Sequence, residues 1–129
     1  MHERVPERTE QVARAVVDAA FKVHSKLGPG LLESVYQACM VYELKKKGLF
    51  VEAEQTQPII YEDIQIGSAF RLDLLVEKCV IVELKAVEGI LPVHRAQLLT
   101  YLKLSGHRLG LLINFNVSLI KQGIQRFIL

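Results

Sequence analysis

Cysteine is scarce in this 129-residue chain, and nothing in the sequence pairs the two that exist. Cys39 and Cys79 lie in separate apolar contexts, without a CxxC or any metal-ligand spacing, which points to buried free thiols rather than a disulfide or a zinc site. Long hydrophobic runs are missing as well. No stretch approaches the ~20 apolar residues of a membrane span, and the polar opening from Met1 to Arg8 has no signal-peptide character. A soluble, cytoplasmic protein without a membrane partner is expected. Charge of one sign is also lacking: 16 basic against 14 acidic residues leave a formal net charge of +2, too little to argue for nucleic acid by itself. The run Lys45-Lys46-Lys47 reads first as a solvated helix end, where cations suit the dipole. The histidines form no metal set, since His2 falls in the tail, His24 on a first helix and His94, read as a surface residue, on a third. Internal repeats and low-complexity segments are absent.

What is present is a globular composition, 50% hydrophobic and 23% charged, in a chain long enough to bury a core. Residues 1–8 read as a loosely ordered tail and 9–129 as a single domain. Thr9 is a plausible N-cap for a helix whose apolar positions Val12, Val16, Ala19, Ala20, Val23 and Leu27 recur at helical spacing, so that it runs to about Lys26. Gly28-Pro29-Gly30 ends it. A second helix follows with the stripe Leu32, Val35, Tyr36, Cys39, Met40 and Leu44, stopped at Gly48. From Phe50 the period changes to two. Residues 50–61, 64–76 and 79–86 read as strands, with Pro58 marking an edge or irregularity and Gly67-Ser68 a turn or bulge. Pro92 opens a third helix that runs to about Leu104, with Ala96, Leu99, Leu102 and neighbouring leucines supplying its packing. Residues 108–115 form a buried strand. The tail divides at Gly123 into a short helical or irregular piece and a terminal strand. The order ααβββαβ plus a short C-terminal strand predicts an α/β sandwich around a mixed sheet.

The most informative stretch is the hairpin formed by residues 70–76 and 80–85. Strand alternation places Phe70, Leu72, Leu74 and Val76 on one face, with Arg71, Asp73 and Leu75 on the other. In the next strand Val80, Val82 and Leu84 share a face opposite Ile81, Glu83 and Lys85. A three-residue turn, Glu77-Lys78-Cys79, sets Asp73 opposite Glu83, Leu74 opposite Val82 and Leu72 opposite Leu84. A two-residue turn would oppose Asp73 to Val82 and mix core with charge, and the dipeptides that favour such turns are absent.

Two carboxylates and an ammonium on one face suit a hard cation and a phosphate. Mg²⁺ is held by one or two carboxylates, waters and substrate oxygens, and Asp73 with Glu83 supply that pair. The backbone carbonyl of Leu84 is a further oxygen ligand, and Lys85 can stabilise charge developing on a phosphate. The competing reading is a surface salt bridge, which Glu-x-Lys alone does not exclude. Glu33 taken alone reads as an acidic residue in the first turn of a helix, where the dipole favours it. Tyr36 fits either a site residue or a core aromatic whose hydroxyl finds a partner. Gln97 and Tyr101, four apart, share one helix face.

Together these motifs resemble the PD-(D/E)XK nuclease superfamily. Asp73 with Glu83-Leu84-Lys85 is similar to its signature, although Leu72 stands where the superfamily title has proline. Gly30, Glu33 and Tyr36 match the motif of the GxxExxY protein family, a branch of that superfamily, and Gln97 with Tyr101 match a Gln-xxx-Tyr motif of RecB-like members. The resemblance implies a restriction-endonuclease-like three-layer sandwich with a mixed central sheet flanked by helices. It implies Asp73, Glu83 and the Leu84 carbonyl as metal ligands and Lys85, Glu33, Gln97 and Tyr101 as catalytic residues. It further implies Mg²⁺ or Mn²⁺ as cofactor, and cleavage of phosphodiester bonds of DNA, with RNA as the alternative, in nucleic-acid processing or defence. The rival expectation is a non-catalytic nucleic-acid-binding or protein-interaction subunit that retains the fold. With no room for a DNA-reading domain, specificity would come from a homodimer, a partner protein or nucleic-acid shape.

Overall fold

Helix α1 (Glu7–Leu27) starts two residues ahead of Thr9, because Pro6 adopts φ −54° and its carbonyl accepts the Glu10 N–H at 3.1 Å. Glu7 and Glu10 then occupy the first turn, the end that favours negative charge. The structure is a computed structural model that describes residues 4–129, so His2 and the first three residues of the expected tail lie outside it. Helix α2 (Glu33–Lys46) follows, then β1 (Val51–Tyr61), β2 (Ile64–Val76), β3 (Val80–Lys85), α3 (Pro92–Ser105), β4 (Leu109–Asn114), a 3₁₀ turn (Ile120–Gly123) and β5 (Ile124–Ile128). None of these helices is long and apolar enough to cross a membrane. Cys39 and Cys79 are free thiols, both half-buried.

The five strands form one sheet in the order β1-β2-β3-β4-β5. Every neighbouring pair is antiparallel except β3 and β4, which run parallel. A parallel pair needs a crossover, and α3 supplies it, placing that helix on one face of the sheet. Helices α1 and α2 cover the other face, where Val16, Ala20, Tyr36, Met40 and Leu44 pack against Leu74, Val82, Leu84, Leu111 and Ile113. On the α3 face, Leu98 and Leu102 pack against Leu72, Leu75, Ile81 and Leu112. This is the α/β sandwich around a mixed sheet that the order of elements predicts, in the three-layer, restriction-endonuclease-like form that the resemblance implies.

The helix stripes differ in detail from their sequence reading. Only Tyr36, Met40 and Leu44 of α2 are buried, whereas Leu32 is 74% exposed and Val35 is exposed. In α3 the packing residues are Leu98 and Leu102, while Ala96 and Leu99 face solvent. With adjacent leucines at 98 and 99, periodicity fits either rotation. Gly110 of β4 decides it, because Leu98 lies so close that a Cβ there would sit 2.8 Å from its Cδ1.

The β2–β3 register matches expectation as far as the ladder runs: Leu74 pairs with Val82, Leu75 with Ile81 and Val76 with Val80, leaving a three-residue turn, while the expected pairs Asp73–Glu83 and Leu72–Leu84 fall beyond it. Glu77 and Lys78 both take positive φ, 51° and 54°, and the Cys79 N–H closes the turn on the Val76 carbonyl at 3.0 Å. The turn therefore has the φ signs of a type I′ turn with one extra residue, built without the Asn or Gly usual there. Glu77 helps to hold it, accepting from the Phe50 N–H and pairing with Arg8 at 2.6 Å.

One expectation fails at Leu72. It packs with Phe70, Leu75 and Ile81 under α3, not with Leu74 and Val76. The alternation inverts across Asp73, where the facing β1 residue, Glu54, adopts a left-handed φ of 52°. Strand register is preserved on both sides of this kink, but the faces exchange.

Gly123, the last residue of the 3₁₀ turn before β5, lies against the end of β4, and a Cβ there would clash with the Asn114 carbonyl oxygen. Because backbone cannot yield as a side-chain tip can, Gly123→Ala should cost about 1–3 kcal/mol. Urea unfolding would register this as a lower midpoint with unchanged slope.

Candidate active site

The site begins where the β2–β3 ladder ends. Beyond Leu74 and Val82 the strands no longer pair regularly, and two carboxylates take over the backbone donors. The Asp73 N–H donates to Glu83 Oε2 at 2.9 Å, and the Leu84 N–H donates to Asp73 Oδ2 at 2.8 Å. Each acid thus binds the strand that carries the other. One oxygen of each carboxylate is committed, which leaves Asp73 Oδ1 and Glu83 Oε1 for another ligand. In a strand the N–H and C=O of one residue point the same way, so the Leu84 carbonyl is also directed toward Asp73.

Burial makes this pair electrostatically unusual. Glu83 is 4% exposed, and desolvation, followed by the Asp73 charge, pushes its pKa up to about 8. Asp73 is raised too, chiefly by desolvation, with the Leu84 hydrogen bond and Lys85 pulling the other way. Lys85 stands at the half-buried end of β3, on the same strand face as Glu83 and opposite Asn114 of β4.

Glu33 reaches this cluster from the other layer. The link Gly28-Pro29-Gly30-Leu31 is tied down by Tyr36, which is fully buried, donates from its hydroxyl to the Gly28 carbonyl at 2.7 Å and accepts from the Leu31 N–H at 3.1 Å. Its ring stacks on Phe115 at 4.4 Å between centroids. Gly30 itself takes φ 97°, a conformation that L side chains avoid. The spacing from Gly30 to Glu33 to Tyr36 therefore has a mechanical meaning: tyrosine anchors a glycine turn, and the turn aims the glutamate. The Glu33 pKa is raised, first by lost hydration and next by the Asp73 charge, while Lys85 and His94 lower it.

Helix α3 closes the third side. Tyr101 is half-buried and stacks on Phe70 at 4.7 Å. Desolvation and then the charges of Glu83 and Asp73 raise its pKa. Gln97 is exposed and makes no hydrogen bond among the described residues. Sequence reasoning undervalued two groups. His94, read as a surface residue, accepts the Leu91 N–H on Nδ1 at 3.0 Å, capping α3 with its ring within electrostatic reach of Glu33. Asn114 is buried, accepts the Val87 N–H at 3.1 Å and donates to the Val87 carbonyl at 2.9 Å. This amide continues the β3–β4 ladder past Lys85, and an asparagine at the end of an apolar strand was its only sequence signal.

Among the described residues no three His, Cys, Asp or Glu side chains gather into a metal cage. Two carboxylates and a carbonyl nevertheless suit a hard cation that keeps several waters. An uncompensated acid pair has a measurable consequence. In metal-free protein, Glu83 holds its proton up to about pH 8, whereas in the unfolded chain it has lost it above 4.5. The contribution of Glu83 to stability should therefore be fullest below pH 4.5 and fall as pH rises toward 8, by on the order of 5 kcal/mol for the full shift. Thermal melts in chelator should show this decline, and Glu83→Gln, which keeps the acceptor for Asp73, should flatten it. A wild-type profile as flat as that of the variant would contradict the burial argument.

Comparison with known proteins bears on the whole arrangement. The model of the family described as the PD-(D/E)XK nuclease superfamily matches residues 10–127. Searches of curated proteins and of solved structures found no match. The matched region spans every element from α1 to β5, including both carboxylates, Lys85 and the helices that flank them. The chain belongs to the PD-(D/E)XK nuclease superfamily.

Proposed function

We propose that this protein is a metal-dependent nuclease that hydrolyses phosphodiester bonds of DNA. The observation that carries this reading is the crossed pair of hydrogen bonds that fixes Asp73 and Glu83 side by side where the sheet opens, with Lys85 next in line. A structural salt bridge has no need of two acids that are both raised by desolvation, one of them further raised by the charge of the other. A divalent cation removes that penalty, and Mg²⁺, or Mn²⁺ in its place, fits the oxygen donors of Asp73, Glu83 and the Leu84 carbonyl. When bound, such an ion polarises a phosphoryl oxygen and activates water. The chain's own residues supply the rest. Lys85 places a positive charge beside the developing phosphate charge. Glu33, with its raised pKa, is poised to hold or accept a proton. Tyr101 offers a hydroxyl at the edge of the acid pair, and Gln97, one turn earlier on α3, is free to meet the substrate from outside.

Within the superfamily we place the chain in the GxxExxY branch, on the strength of Gly30, Glu33 and Tyr36 and their shared role in aiming the glutamate. Residues 9–129 then act as one nuclease-like domain in the cytoplasm, in nucleic-acid processing or defence. The superfamily makes nucleic acid the substrate class, with DNA favoured and RNA the alternative to be tested.

The test is cleavage of supercoiled plasmid, linear duplex, single-stranded DNA and RNA, each with Mg²⁺, with Mn²⁺ and with chelator. Wild-type protein should cut at least one substrate only when metal is present. Lys85→Ala and Asp73→Asn should each lower the rate roughly 100-fold or more while the circular-dichroism melt shows a folded protein. Cleavage that survives both substitutions would assign the activity to another site. Metal-dependent binding of nucleic acid without cleavage of any substrate would instead make the chain a binding subunit that keeps the fold.

A further inference from the structure

Strands β1 and β2 continue well past the body of the protein. Their pairing runs out to Tyr61 and Ile64, which are joined by a two-residue turn with Glu62 and Asp63 at φ 47° and 69°. No described residue between 55 and 69 belongs to either hydrophobic cluster. The outer hairpin is therefore an arm held by its own ladder, and a two-stranded hairpin by itself is marginal in water. Near its base the ladder shifts register between Pro58 and Ile59, where Gly67 and Ser68 are extra on β2.

The far end of the arm is apolar on one side. Ile59 pairs with Ile66 and Tyr61 with Ile64, and cross-strand partners share a face. These four side chains form one patch. Tyr61 is 62% exposed, Ile64 63% and Ile66 40%. Alternation along β1 carries the same face back to Gln57, opposite Phe70, whose ring Tyr101 of α3 covers. Beyond that contact nothing among the described residues covers it.

Charge narrows what can. Residues 55–69 carry two acids, Glu62 and Asp63, and no lysine or arginine. The arm thus bears −2 in a chain whose net charge is +2, leaving +4 on the remainder. An acidic arm repels phosphate, so it is poorly suited to grip nucleic acid, but it complements the body of another copy of the same chain. We propose that the arm is a dimerisation element: the patch of Ile59, Tyr61, Ile64 and Ile66 packs on the same patch of a second copy. The Glu62–Asp63 turn then reaches the basic body of the partner. A two-fold contact of this kind is self-complementary, so each residue is used twice. The charged edge of β1 and Pro58 guard against open-ended strand pairing, which directs association to the face of the arm.

Sedimentation velocity across the micromolar range would test this, together with circular-dichroism melts to confirm folding. Wild type should sediment as twice the 14.6 kDa chain, and Ile64→Glu with Ile66→Glu should return it to one chain with its fold intact. Ile60→Glu, on the opposite face of the arm, should leave the dimer unchanged, and Glu62→Lys with Asp63→Lys should weaken it. A wild type that is monomeric throughout would overturn the proposal. So would a dimer that survives the Ile64 and Ile66 substitutions, or a monomer in which those substitutions abolish nucleic-acid binding.

Discussion

Where two antiparallel strands part, each normally leaves backbone donors without partners, and burying them is costly. Here the Asp73 and Glu83 side chains take those donors across the gap, in bonds of 2.9 and 2.8 Å. The strands can therefore diverge in the middle of the molecule without losing their hydrogen bonding. The carboxylates, for their part, are locked in position and held out of water. That exchange accompanies the inverted alternation around Asp73, and the burial that goes with it raises the pKa of Glu83. In so fixed a frame the pair can relieve its repulsion by keeping the Glu83 proton or by taking a ligand, but not by moving apart.

The surrounding layers serve that frame. On the α2 side, Tyr36 joins the Gly28–Leu31 link to Phe115 at the end of β4, so the direction of Glu33 is set by core packing and not by a free loop. On the β4 side, the Asn114 amide clamps Val87, and the Phe115 N–H donates to the Lys85 carbonyl at 2.9 Å. Both devices act on backbone immediately before or after a charged residue. They also meet at one place, the C-terminal end of β4, which adjoins Gly123 and tolerates no Cβ there. The parallel β3–β4 pair is the most deeply buried part of the sheet, which suits it to carry the groups that must not move.

Much of this was legible in the chain. The element order, the three-residue turn and the Leu74–Val82 register follow from hydrophobic period and face matching, because a one-residue slip would have mixed core with charge. The rotation of the helices was less legible. Neighbouring leucines at 98 and 99 satisfy the same periodicity, and only the room above Gly110 selects the first. Leu72 was misplaced for a related reason: alternation assumes a regular strand, and the kink at Asp73 and Glu54 is created by side chains replacing the ladder. Asn114 and His94 escaped notice because each acts through a backbone partner that sequence spacing does not reveal. Gln97, paired with Tyr101 by the motif resemblance, is exposed.

The sequence by itself determined the topology, the pair of acids and the chemistry they suit, since these depend on local period, turn length and residue type. Only the tertiary structure decided how far the acids are desolvated, how Glu33 is aimed from the opposite layer and that the β1–β2 hairpin leaves the body as an arm. Those properties depend on what lies above and below the sheet. Packing between distant segments sets burial, and burial sets the strength of every charge in the site.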